Sequence, residues 1–141
     1  MKTAIKYRVS TNRVMGHLEA SNDALLATQL SSLMPDTGGI EVDSDHDAIR
    51  NPDKWRVSSG VLQAKTVLVI SADKSQILAD GIDEATITIS PATALDVSVD
   101  DNAIALTSGE SLIITSDTPK TFRVFIDHID YYADPILIKA A

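Results

Sequence analysis

The hydrophobic rhythm of this chain changes near residue 65. Before that point apolar positions recur with two different periods, and after it with one. Ile5-Lys6-Tyr7-Arg8-Val9 alternates apolar and basic residues, the period of a half-buried strand. Ser10-Thr11-Asn12-Arg13 reads as a turn and Val14-Met15-Gly16-His17-Leu18 as the return strand, giving a hairpin. Ser21 or Asn22 can accept a bond from a free first-turn amide, and Asp23 suits the positive end of a helix dipole. Leu26, Leu30, Leu33 and Met34 then follow i, i+4, i+7, i+8 spacing. The pattern predicts a helix over 23–33, stopped by Pro35 and the Gly38-Gly39 pair. Ile40-Glu41-Val42 is a short strand, and 43–54 is polar and reads as irregular, with a turn at Asn51-Pro52-Asp53. Trp55-Arg56-Val57 and Val61-Leu62-Gln63-Ala64 flank Ser58-Ser59-Gly60 and predict a second hairpin. Residues 1–65 therefore read as a small α+β unit, an antiparallel sheet with one helix packed on it.

From Thr66 the helical period disappears. Short segments at 66–71, 76–79, 84–90, 95–99, 103–106, 111–115, 121–127 and 136–139 are separated by turn signals such as Asp80-Gly81, Ser90-Pro91 and Asp117-Thr118-Pro119. Strands at this spacing predict a sandwich or barrel over 66–141. In Thr86-Ile87-Thr88-Ile89 and Val97-Ser98-Val99 the alternation implies one wet and one buried face. The chain as a whole is expected to be mainly β. No Gly/Ser or Pro tract separates the two units, so a fixed orientation between them is expected.

Charge follows the same division. Residues 1–65 carry eight Lys/Arg and eight Asp/Glu, whereas 66–141 carry four and twelve, which supplies the whole net charge of −8. An acidic surface repels phosphate backbones, so nucleic acid and anionic membranes are disfavoured as partners. There are no cysteines, which excludes disulfides, thiolate metal sites and Cys nucleophiles. The N-terminus lacks the apolar core of a signal peptide, and no stretch reaches the roughly 20 apolar residues a membrane span needs.

Candidate chemistry is sparse. Asp43, Asp45 and Asp47 alternate in a loop and are the best candidates for a hard cation such as calcium. The EF-hand template then requires Gly and Glu where this chain has Ala48 and Lys54, so a solvated acidic loop is the plainer reading. The turn-side acids Asp96, Asp100 and Asp101 and the three histidines suggest no shared metal. No G-x-S-x-G, G-x-G-x-x-G or P-loop occurs. One Trp and three Tyr make a sugar-stacking cleft a poor prospect. No catalytic residue, cofactor or enzyme activity is expected. Candidates for interaction are Lys6 and Arg8, which share a strand face within the basic N-terminal segment and could dock on an acidic surface; Trp55, which is expected to cover the helix; and Tyr131 and Tyr132, of which one should pack inward and the other point out.

Three segments bear on family. Ala79-Asp80-Gly81-Ile82-Asp83-Glu84-Ala85-Thr86-Ile87-Thr88, Thr118-Pro119-Lys120-Thr121-Phe122-Arg123-Val124 and Pro135-Ile136-Leu137-Ile138-Lys139-Ala140 resemble the opening, the Pro turn and the closing strand of bacterial immunoglobulin-like modules. Such modules occur in invasin-type adhesins and in tailed-bacteriophage virion proteins. Where those modules often have Pro-Gly-Thr-Tyr, this chain has Pro-Lys-Thr-Phe. The N-terminal half is similar, more loosely, to segments of fibre- and tail-associated phage proteins. The resemblance implies an immunoglobulin-like β-sandwich and a non-enzymatic structural or accessory part of a tailed-phage particle, tail- or fibre-associated. Its partners would be other virion proteins or further copies of itself, and it would be made in the host cytoplasm and located in the virion. A capsid decoration protein, or a module binding host-surface glycan or protein, is the alternative.

Overall fold

In the computed structural model, which describes residues 2–141, the alternating N-terminal segments form β1 (Lys2–Arg8) and β2 (Val14–Ala20). Helix α1 (Asp23–Ser31) follows, then β3 (Thr37–Val42), a four-residue helix α2 (Asp47–Arg50), a 3-10 turn (Pro52–Lys54), β4 (Trp55–Ser58) and β5 (Val61–Ala64). These elements belong to the first of two compact units, Met1–Lys65 and Thr66–Ala141.

The first unit is organised by the alternation of β1, the middle strand of an antiparallel sheet ordered β2-β1-β3. Ala4 turns to the face covered by α1, where it is buried with Ala20 and Leu26 and flanked by Leu18 and Leu30. Thr3 and Ile5 turn to the other face and are also buried. α2, the 3-10 turn and β4 pack beside β2. A bond from the Val57 amide to the Asn12 carbonyl (2.9 Å) ties β4 to the β1–β2 turn. The β4–β5 hairpin closes through Ser59 and Gly60, both at positive φ (51° and 75°), the two-residue loop that matches strand twist.

Two expectations about α1 are corrected. The helix ends at Ser31 rather than at 33. Its last turn is drawn into tighter bonds, Ser32 N–H to Gln29 C=O (3.2 Å) and Leu33 N–H to Leu30 C=O (3.4 Å). The Ser31 and Ser32 hydroxyls both bond the Thr28 carbonyl (2.7 and 3.0 Å), an alternative partner that competes with the helical ladder. Met34 consequently lies off the apolar face and is 77% exposed. The start is as expected, Asn22 Oδ1 accepting from the Leu25 amide at 2.9 Å.

Gly38 and Gly39 do not stop the helix; they lie inside β3. A Cβ on Gly38 would fall 2.5 Å from Cζ of Tyr7, its cross-strand partner, and one on Gly39 would fall 2.2 Å from Leu30 Cδ2. The pair lets a tyrosine ring cross the strand on one side and α1 approach it on the other. The loop at 43–54, read as irregular, contains α2 and the 3-10 turn.

The second unit holds β6 (Thr66–Val67), β7 (Val69–Ala72), β8 (Gln76–Ile77), β9 (Glu84–Ser90), β10 (Leu95–Val99), β11 (Asn102–Leu106), β12 (Leu112–Thr115), β13 (Lys120–Phe125), β14 (Tyr131–Tyr132) and β15 (Ile136–Ala140). A five-stranded sheet, β11-β10-β13-β15-β8, faces a three-stranded sheet, β12-β9-β7. Ile70, Ala85, Ile87 and Ile114 from the smaller sheet bury against Ile77, Val97, Val124 and Ile138 from the larger, in one aliphatic core. Each alternates with outward neighbours, so period two in sequence becomes inside and outside in the sandwich. β7 pairs antiparallel with β9, and the chain then crosses to the other sheet, where β8 pairs parallel with β15. Strands β7, β9 and β12 and strands β10, β13 and β15 lie in the relative order of A, B and E and of C, F and G in an immunoglobulin sandwich, with no strand in the place of D. The fold is mainly β with a small helix, as the sequence pattern predicts.

Candidate interaction surfaces

The Asp43–Asp47 loop does not present three free carboxylates. Asp47 Oδ2 accepts from Trp55 Nε1 (2.9 Å) and its Oδ1 from Asn51 Nδ2 (2.8 Å). The Trp55 and then the Asn51 bonds hold its carboxyl below the usual aspartate range. The reason is local. Asp47 is the first residue of α2, and the 3-10 turn returns the chain so that β4 begins beside it. Asp43 and Asp45, with His46, border an open depression that also includes Lys2 and Glu41. Among the described residues no group of three or more His, Asp or Glu is disposed to hold a metal ion.

Trp55 meets a different helix from the one expected. It covers the head of α2, with its ring centroid 4.7 Å from that of His46, whose Nδ1 in turn accepts from the Ala48 amide at 3.1 Å. His46 is the residue that sequence reasoning missed in this cluster. Its signal was faint: a polar residue just ahead of Asp47-Ala48-Ile49-Arg50, a single helical turn that hydrophobic periodicity does not resolve.

The basic segment is tied up locally. Arg8 reaches Asp36 Oδ2 at 3.7 Å, and Asp36 also accepts from the Ser10 amide (2.8 Å) and hydroxyl (2.5 Å). The Ser10 hydroxyl and amide, with Arg8, hold the Asp36 carboxyl low. Lys2 lies between Asp23 (3.3 Å) and Glu41 (3.6 Å). Lys6 is half-buried, and its stem passes over Gly16.

Tyr131 and Tyr132 form β14, which pairs parallel with β6. Tyr131 packs against the sandwich core and tilts against His128, with centroids 4.9 Å apart. The Tyr132 hydroxyl donates to Asp134 Oδ1 at 2.8 Å. Both rings are half-buried.

The Ala79–Thr88 segment has a physical explanation. Gly81 takes φ 75°, and Asp80 Oδ1 accepts from the amides of Ile82 (2.9 Å) and Asp83 (2.8 Å). Asp83 accepts from the Leu78 amide (2.9 Å) and pairs with Lys74. The Asp83 and Ile82 amides depress the Asp80 carboxyl; Lys74 and then the Leu78 amide depress that of Asp83. Two carboxylates thus stitch the turn that launches β9, the central strand of the smaller sheet.

The sandwich also presents an open side that the sequence reading passed over. β11 ends one sheet and β12 ends the other, joined only by Thr107–Ser111. Ile113 on β12 is 54% exposed. Elsewhere, exposed aliphatics include Val67, Val69, Leu78, Ile82 and Leu137. Among the described residues no helix is long and apolar enough to cross a membrane. No protein-family model matches the chain, and no curated protein matches it either.

Proposed function

We propose that this protein is a non-enzymatic structural component of a tailed-phage particle, tail- or fibre-associated, acting through protein–protein contacts. The observation that carries the reading is the Ala79–Thr88 segment. It resembles the opening of virion immunoglobulin-like modules, and here it forms a carboxylate-stitched turn into strand B of a sandwich with that strand order. A fold alone does not fix a function, so the weight rests on motif and strand order together. Exposed aliphatics on both sheets and in the turns, such as Val69, Ile82 and Leu137, supply contact area. The acidic charge of this unit disfavours nucleic acid as a partner and is compatible with protein neighbours. Lys74, Asp80, Asp83 and Glu110, whose titration is displaced, are bonded in or beside turns and have structural work.

The test is mass spectrometry of density-purified virions from the source host. The chain should be present in a fixed copy number and absent when its gene is disrupted. Purified virions that lack it, in a host that expresses it, would overturn the proposal. Capsid decoration is a variant of the same reading, and labelling the chain on intact particles separates head from tail.

A further inference from the structure

The open side of the sandwich is chemically unlike the rest of its unit. From Asn102 to Ser116 the chain contains one charged residue, Glu110, in a unit that otherwise carries eleven acids and four bases. The Glu110 carboxylate is turned back onto the Thr107 amide (2.7 Å) and hydroxyl (3.0 Å), which hold its titration low. The two strands on this side, β11 and β12, are terminal strands of their respective sheets. In the immunoglobulin order a further strand, D, flanks strand E in its sheet. Here the chain passes from β11 through a five-residue turn directly into β12, and the outer edge of strand E is bare. Neither strand carries the lysine or proline with which proteins ordinarily blunt an edge, nor an inward-pointing charge.

We propose that this side is a dimerisation edge at which β12 pairs antiparallel with β12 of a second copy. The sequence is self-complementary in that arrangement. Centred on Ile113, the pairing sets Ile113 opposite its own copy, Leu112 opposite Ile114, and Ser111 opposite Thr115, with no charge in the ladder. β-branched and aliphatic cross-strand pairs of this kind are favourable. A second copy is the occupant that charge selects. Two acidic units repel across most of their surfaces, and this neutral side lets them approach without opposing like charges. The inference gives the proposed contact function a specific surface, but it stands on edge geometry and the neutrality of this side, not on the particle assignment. Absence from virions bears only on the particle assignment, and a monomeric wild type bears only on this edge.

Sedimentation of the full chain over a roughly hundredfold concentration range tests it. The wild type should show a monomer–dimer equilibrium that persists at high salt, where screening weakens acidic repulsion. Ile113→Lys changes an exposed position and should fold, which thermal unfolding checks, yet weaken the dimer by about tenfold or more. Leu137→Lys, on the outer face of the larger sheet, should dimerise like the wild type. A wild type that is monomeric throughout, an Ile113→Lys dimer as strong as the wild type's, or a dimer abolished by salt would overturn the proposal.

Discussion

The two units solve the same burial problem by different means. The sandwich buries a layer of aliphatics, including Ile87, Val97, Val124 and Ile138, between facing sheets, so its core is built from side-chain volume. The N-terminal unit has a sparse core on its helix side, Ala4, Ala20 and Leu26 with Leu18 and Leu30 at the margin, and depends on close approach. Small residues there let a helix and a ring come near the sheet backbone. A core built from volume is damaged by removing atoms, whereas a core built from proximity is damaged by adding them.

The sharpest way to break the contrast is to change volume in each unit. Ile87→Ala deletes a fully buried side chain and should cost about 2–5 kcal/mol, read by denaturant unfolding and by loss of amide protection in β9 and β12. Gly39→Ala adds a methyl where Leu30 already sits and should cost about 1–3 kcal/mol. Leu30→Ala in the same molecule should recover part of that loss, a coupling that a double-mutant cycle measures. If Gly39→Ala were neutral, the close-approach account of the first unit would be wrong.

Thr3→Val should move stability the other way. Thr3 is buried at 1% exposure and its hydroxyl has no hydrogen-bond partner. An isosteric apolar side chain removes that desolvated group and should stabilise by about 1 kcal/mol, seen as a raised unfolding midpoint.

Smaller effects test the carboxylate turns. Asp80→Ala removes the acceptor for the Ile82 and Asp83 amides, and Asp83→Asn removes the charge paired with Lys74 and leaves one acceptor oxygen where Leu78 N–H and Lys74 had two; both should lower the unfolding midpoint, with increased amide exchange at the start of β9. Acid should act in the same direction. Asp36, Asp47, Asp80 and Asp83 are all held below their ordinary value of 3.8. A depressed folded-state pKa contributes stability that is present above the unfolded value and lost as pH falls through the folded one. Stability should therefore hold above that value and drop below it, and Asp83→Asn should reduce the drop. A thermal midpoint unchanged between neutral pH and pH about 3 would contradict the assignment.

What could be read from sequence depended on how each residue is used. Thr86-Ile87-Thr88-Ile89 announces its strand because one face is wet and the other lies in the core, so the pattern carries the fold directly. Leu26 and Leu30 announce α1 for the corresponding reason. Gly38-Gly39 misleads because the pair looks alike whether it ends a helix or admits a neighbour's atoms, and only the register with Tyr7 distinguishes the two. Trp55 is misplaced because its partner is a single turn, α2, too short for periodicity to reveal. β14 is missed because two residues cannot alternate, and what makes it a strand is the arrival of β6, distant in sequence. The β11–β12 side is invisible to pattern reading because its signal is a lack of charge beside edges that topology alone identifies.

The crossing of the chain from β7 to β8 has a mechanical consequence. β8 lies parallel to β15, joined by Lys139 N–H to Ser75 C=O (2.9 Å), Ala141 N–H to Ile77 C=O (3.0 Å) and Ala79 N–H to Ala141 C=O (3.0 Å). Tension entering ahead of β8 and leaving after β15 pulls these strands past each other lengthwise, so the bonds are strained together rather than peeled one at a time. The sandwich is thus geared to resist stretching along that line, with a clamp that yields in a single abrupt step.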